Sequence, residues 1–159
     1  MMKASFNMSS NVQRREITTN NISEIALEIF HDAKNYHLVA INSMQTLFPQ
    51  AMVVITVNAA FACELFLKSI LLLEQKQLSR GHLIYKLFNE IQDTSLKMRI
   101  INRLKCYDFD SYLKEIDDVF SIARYVYEFR GISCDLSFVI SFANALLDEC
   151  QVIFNEVNN

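Results

Sequence analysis

The chain has 159 residues, 52% hydrophobic and 21% charged, which fits one domain able to bury a sizeable core. Its formal net charge of -3 excludes a protein that coats duplex DNA or an anionic membrane through bulk charge. Two Gly and one Pro leave little for tight β-turns and favour long helices with few breaks.

Residues 1–20 are polar, rich in Ser, Asn and Thr, and carry no apolar run of the kind a secretory signal needs. They read as a flexible arm, or as a partner-docking arm around Arg14 and Arg15. The expected domain is 21–159, in a cytoplasmic protein. The cysteines Cys63, Cys106, Cys134 and Cys150 lie far apart, so buried free thiols are expected and not a zinc site.

From Ile22 to Phe48 the residues Ile22, Ile25, Ile29, Ala33, Tyr36, Ala40, Met44 and Leu47 recur in steps of three and four. That is one helical stripe, capped by Asn20 or Asn21 and stopped by Pro49. His31 and His37 fall on different faces of it and make a poor metal pair. A second helix is expected from Ala51 to Gln77. It is apolar on nearly all faces, so the other elements should pack around it. Glu64 and Lys68 interrupt it, and each charge at a bilayer centre costs roughly 3 kcal/mol, which argues against a membrane span.

Gly81 fits a helix C-cap or a tight turn. A short third helix follows over His82 to Gln92. Asp93, Thr94 and Ser95 offer a stop and a new cap, and Leu96, Ile100 and Leu104 mark a short fourth helix. Its other side carries Lys97, Arg99, Arg103 and Lys105, read either as a solvated face or as a phosphate-contacting patch. Residues Tyr107 to Ser111 read as a loop with capping residues. Leu113, Ile116, Phe120, Ala123 and Tyr127 make the stripe of a fifth helix ending near Gly131. Asp135 caps a sixth, with Leu136, Val139, Ile140, Ala143, Leu147, Cys150, Phe154 and Val157 in the same period. The expected fold is all-α: an antiparallel helical bundle of about four long helices plus two short ones.

No Gly-rich phosphate loop, zinc-protease motif or nucleophile elbow occurs. Two groups can carry chemistry. Glu64 and Lys68 are an i,i+4 pair inside an apolar helix, where charges persist only if paired or hydrogen-bonded. They read as a paired charge at the bundle rim or as site residues. Arg124 and Glu128 are the second such pair, within Arg124-Tyr125-Val126-Tyr127-Glu128-Phe129-Arg130. A guanidinium at that seam suits phosphate or carboxylate, and Tyr125 and Tyr127 add hydroxyls and stacking faces. The alternative is a helix–helix ion pair.

Three segments, 62–71 (Ala-Cys-Glu-Leu-Phe-Leu-Lys-Ser-Ile-Leu), 81–88 (Gly-His-Leu-Ile-Tyr-Lys-Leu-Phe) and 124–128 (Arg-Tyr-Val-Tyr-Glu), together resemble the HEPN (higher eukaryotes and prokaryotes nucleotide-binding) family. The resemblance implies a helical bundle that often dimerises. It also implies RNA cleavage or binding, frequently in toxin–antitoxin, abortive-infection or other defence systems. Catalytic members pair an Arg with a His across four to six residues. Here the corresponding positions after Arg124 hold Phe129, Arg130 and Gly131, and no arginine precedes a histidine at that spacing.

The expected function is therefore binding of RNA, a nucleotide or a partner protein without catalysis. The binding candidates are Arg124, Tyr125, Glu128, Arg130, Glu64, Lys68 and His82, with no metal and no cofactor. The alternative is a metal-independent endoribonuclease with a non-standard site of Arg124, Glu128 and Tyr127, joined by His82. A third reading is a purely structural or regulatory subunit. Expected partners are a second copy of the chain, RNA or a nucleotide, and an antitoxin-type protein, with neither membrane nor duplex DNA.

Overall fold

The computed structural model describes residues 16–49, 51–117 and 135–157. The protein is all-α. Its described helices are α1 (Ile22–Leu47), α2 (Met52–Gln75), α3 (Ile84–Glu90), α4 (Thr94–Leu104), α5 (Phe109–Glu115) and α6 (Leu136–Val157), and no strand occurs among the described residues.

The spine is α2. Thirteen of its 24 residues are buried, including Phe66, Leu67, Ile70 and Leu71. It packs along α1, against α6 on another side and against α3 near its end, while α4 packs on α6. Phe30 of α1 joins these layers: its ring stacks on Phe154 of α6 at 4.8 Å and meets Phe66 of α2 at 6.0 Å. A second aromatic cluster, Phe88, Phe109, Phe138 and Phe142, ties α3 and α5 to the start of α6. Buried rings of this size stabilise through area and tilted contacts, so truncating Phe66 to Ala would cost about 3–5 kcal/mol.

By length and mean hydropathy, 1.7 and 1.4, both α2 and residues Leu136–Asn155 of α6 could cross a membrane. In the folded chain 61% and 50% of those apolar windows are packed inside the bundle. The exposed part of these helices includes Met52, Val53 and Val54 of α2 and Val152 of α6.

The caps show where the expected boundaries shift. Asn21 stands before α1, but its side chain does not cap the helix. Its Oδ1 accepts from the Thr18 amide and its Nδ2 donates to the Glu16 carbonyl, which ties the entering chain to the helix start. α2 ends at Gln75, where Lys76 turns left-handed (φ 60°) and its amide bonds to the Leu72 carbonyl. Gly81 is thus not the cap of α2. It lies in the linker that leads to α3. Asp93 caps α4 by accepting from the Ser95 and Leu96 amides. Glu74 of α2 accepts from the Gln92 and Asp93 amides and pins that corner to the spine.

Two further expectations are corrected. Phe109 already begins α5, since the Asp108 carboxylate caps it through the Ser111 amide, so the expected loop is shorter. α5 stops at Glu115, where Ile116 and Asp117 bond back to Tyr112 and Lys114 in a tightened last turn. The expected stripe past Ile116 lies outside the described residues. Asp135 does cap α6, accepting from the Phe138 amide.

Candidate functional site

Glu64 is 1% exposed, on the face of α2 beside the line that reaches solvent. One helical turn on, Lys68 donates from Nζ to Glu64 Oε1 at 2.7 Å. The linker between α2 and α3 brings His82 to the same oxygen, with Nδ1 at 2.9 Å. The three side chains grade from core to solvent: 2% exposed for Glu64, 14% for Lys68 and 64% for His82. Glu64 Oε2 is buried and has no hydrogen-bond partner among the described residues. A buried carboxylate oxygen left without a donor is costly, and such groups in folded proteins call for a reason.

The site opens on a cleft of about 1090 Å³ between the C-terminal half of α2 and the linker. Lys68, Lys76, Arg80 and His82 line it, against one acidic side chain, Glu90. The Glu90 carboxylate accepts from Ser79 Oγ at 3.2 Å and its carbonyl accepts from Gln75 Nε2, which fixes the linker against α2. Lys76 Nζ donates to the Leu73 carbonyl. Arg80 is exposed and pairs with no carboxylate among the described residues. The cleft therefore presents several cationic donors at one mouth, which suits an anionic ligand.

Of the residues singled out from sequence, Glu64, Lys68 and His82 come together in one hydrogen-bonded group. Arg124, Tyr125, Tyr127, Glu128 and Arg130 lie outside the described residues. The basic side of α4 is solvent-exposed at Arg99, Arg103 and Lys105, but both arginines are engaged on α6. Arg99 Nε and Arg103 Nε donate to the two oxygens of Glu149 on α6 at 2.8 and 2.7 Å, and Arg103 Nη1 reaches Asp148 at 3.0 Å. Lys97 donates to the Asn89 carbonyl and lies over the Phe88 ring. Burial alone would push the Glu149 carboxyl up. The two guanidiniums bonded to it outweigh that and hold it below the usual carboxylate range.

Three further buried titratable groups lie apart from the lining of this cleft. His37 is buried on α1 beside Phe66, and burial lowers its pKa against an opposing bond from Asn144. Cys63 and Cys150 are free, buried thiols. Burial raises both, Cys150 to about 12, so neither is a reactive thiolate. No group of three His, Cys, Asp or Glu side chains able to hold a metal ion occurs among the described residues. The second cavity, about 550 Å³ at the α1–α2 turn, is lined mainly by Met44, Phe48, Met52, Leu136 and Ile140. Its one carboxylate, Asp135, is engaged as the α6 cap. Comparison with protein-family models, curated proteins and solved structures finds no match to this chain.

Proposed function

We propose that the protein binds a phosphate-bearing ligand, RNA or a nucleotide, in the cleft at the end of α2. The observation that carries this reading is the Glu64–Lys68–His82 group at the mouth of a cleft that also presents Lys76 and Arg80. Ammonium and guanidinium groups at one mouth bind phosphate through charge-assisted hydrogen bonds.

The resemblance of 62–71, 81–88 and 124–128 to HEPN domains supports the same ligand class, with Arg124, Tyr125, Glu128 and Arg130 as further binding candidates. That resemblance also makes a toxin–antitoxin or defence setting, a protein partner of the antitoxin kind and a cytoplasmic location part of the proposal. The test is titration of the full chain with labelled single-stranded RNA and with nucleoside 5′-phosphates. Saturable binding that weakens with salt and drops at least tenfold in Lys68→Ala/Arg80→Ala supports the reading. Equal binding by the folded double variant removes the cleft from consideration.

One observation favours a second reading, a metal-independent endoribonuclease. Glu64 holds the Nδ1 edge of an exposed His82, which leaves Nε2 to act as a base. In such a step Nε2 takes the proton of a ribose 2′-hydroxyl while O2′ bonds to phosphorus. The P–O5′ bond breaks, and water returns a proton to the leaving oxygen. Cleavage in the presence of chelator, lost in His82→Ala, is expected. RNA left intact at high protein concentration leaves binding alone.

A further inference from the structure

From Asn35 through Cys63, and again from Leu136 through Leu147, the sequence holds no Asp, Glu, Lys or Arg, in a chain that is 21% charged. The first run is the second half of α1, the turn and the first half of α2; the second is the first half of α6. The fold brings both to one end of the bundle, where Met44, Phe48 and Met52 of the hairpin line a cavity of about 550 Å³ with Leu136 and Ile140 of α6. Five of the twelve large hydrophobic side chains exposed among the described residues, Met44, Phe48, Met52, Val53 and Val54, crowd this turn. Apolar side chains exposed singly need no explanation, but such a cluster marks an interaction surface.

The cluster faces several ways at once. Met52, Val53 and Val54 are consecutive, so they point roughly 100° apart around the first turn of α2. Each is at least 40% exposed. A flat protein surface laid on one side of the hairpin would cover one of these directions and leave the others in water, whereas a medium that surrounds the tip covers all of them. The polar groups there make few demands on water. In the first two turns of α2 the polar side chains, Thr56 and Asn58, donate back to the carbonyls of Met52 and Val54 at 2.8 and 2.7 Å. Thr46 of α1 does the same to the Asn42 carbonyl at 2.7 Å, and its exposed neighbour Gln45 is an uncharged amide. In lipid, where no water completes a hydrogen bond, polar side chains need partners of this kind.

We infer that this turn enters one leaflet of a zwitterionic phospholipid bilayer, with Phe48, Met52, Val53 and Val54 as the inserted side chains. Elements that lie on a membrane in this way reach about 5–10 Å into the boundary between headgroups and acyl chains. The nearest charges of the hairpin are farther back. Glu64 lies roughly 18 Å from Met52 along α2, and Lys34 roughly 20 Å from the end of α1. The expectation of no membrane partner rested on Glu64 and Lys68, which oppose a full span but stay outside a shallow insertion. Asp135 borders the cavity at the start of α6 and the chain carries a net charge of -3, so anionic headgroups would be repelled and the attraction is apolar. The cationic cleft begins at the other end of α2, roughly 35 Å from the tip, and faces water when the tip is inserted. Insertion does not require that cleft to bind anything.

The experiment is co-sedimentation of the full chain with phosphatidylcholine vesicles, with Val53→Asp and Met98→Asp beside the wild type. Val53 lies in the first turn of α2, where a carboxylate suits the helix dipole, so helical circular dichroism should be unchanged. Met98 is 49% exposed on α4, away from the tip. Wild type and Met98→Asp should pellet with the vesicles at low and high salt alike. Val53→Asp should bind roughly tenfold more weakly or worse, the loss of one buried apolar side chain. Val54→Trp gives a tryptophan to a chain that has none. Its emission should shift to the blue on adding vesicles and be quenched by acyl chains brominated near the headgroup. Wild type left in the supernatant overturns the inference, as does an equal loss in Met98→Asp and Val53→Asp, or binding that needs anionic lipid. So does a dimer in light scattering whose Val54→Trp emission is already blue-shifted and does not respond to vesicles, which would give the tip to a second copy.

Discussion

Glu64 and Glu149 are both 1% exposed, both on apolar helices, and both bound by two nitrogen-bearing side chains, yet they are built differently. Glu149 gives one oxygen to each arginine, so both oxygens are satisfied and the group closes on itself. Glu64 receives Lys68 and His82 on the same oxygen and leaves the other without a donor. The first arrangement is a clamp that ties α4 to α6. The second is an incomplete network beside an open cleft. Burial and charge alone do not separate them; the count of donors per oxygen does.

Of the two carboxylate networks, the clamp should give the larger stability effect. Arg99→Gln/Arg103→Gln leaves a buried carboxylate with no cationic partner, which should cost about 3 kcal/mol in urea unfolding, at the low end for broken buried pairs because both arginines are half-exposed. Glu149→Gln removes the buried charge itself and should cost less than the double arginine variant, about 1–2 kcal/mol. If the two variants unfold alike, the closed clamp is not what holds α4.

The next effect is in the pH dependence. The Glu149 carboxyl is held below its ordinary value of 4.5, so the folded state gives up that proton more readily than the unfolded one. The clamp's contribution is therefore present above about 4.5 and is lost as pH falls below it. His37 acts in the same direction from a higher start. Burial lowers its pKa from 6.5, so the unfolded chain takes up a proton first and stability falls as pH drops below 6.5. Urea midpoints between pH 7 and 3 should fall in two stages, and Glu149→Gln should flatten only the lower one. A single unchanged slope in that variant would remove Glu149 from the acid response.

The all-α fold was legible because Ile25, Ala33, Ala40 and their partners on α1, and Leu136 to Phe154 on α6, repeat at helical spacing over long runs. The Glu64–Lys68 contact was legible for the same reason, since one helical turn brings those side chains together whatever the rest of the chain does. His82 joins them across 18 residues and a linker, so no local rule places it; its link to the site came from the family resemblance. The arginine clamp was missed because its partners are 46 and 50 residues apart. A signal was present. Arg99 and Arg103 stand one turn apart, and Asp148-Glu149 is the only acidic pair in α6. Helix ends were harder, since left-handed Lys76 has no glycine to mark it.

The smallest stability effect should fall on the incomplete network, and it separates the two carboxylates most sharply. Glu64→Gln keeps an acceptor for Lys68 and His82 and removes a buried charge whose second oxygen had no donor. The loss of two charge-assisted bonds and the relief of an uncompensated charge oppose each other, so stability should change by less than about 1 kcal/mol. Function should not be so tolerant. A neutral amide in place of the carboxylate no longer fixes the Lys68 ammonium and the His82 ring by charge, so both regain rotational freedom at the cleft mouth. RNA or nucleotide affinity should then fall several-fold, while Glu149→Gln leaves it unchanged. A Glu64→Gln protein that loses as much stability as Glu149→Gln and keeps full affinity would make Glu64 a second structural clamp.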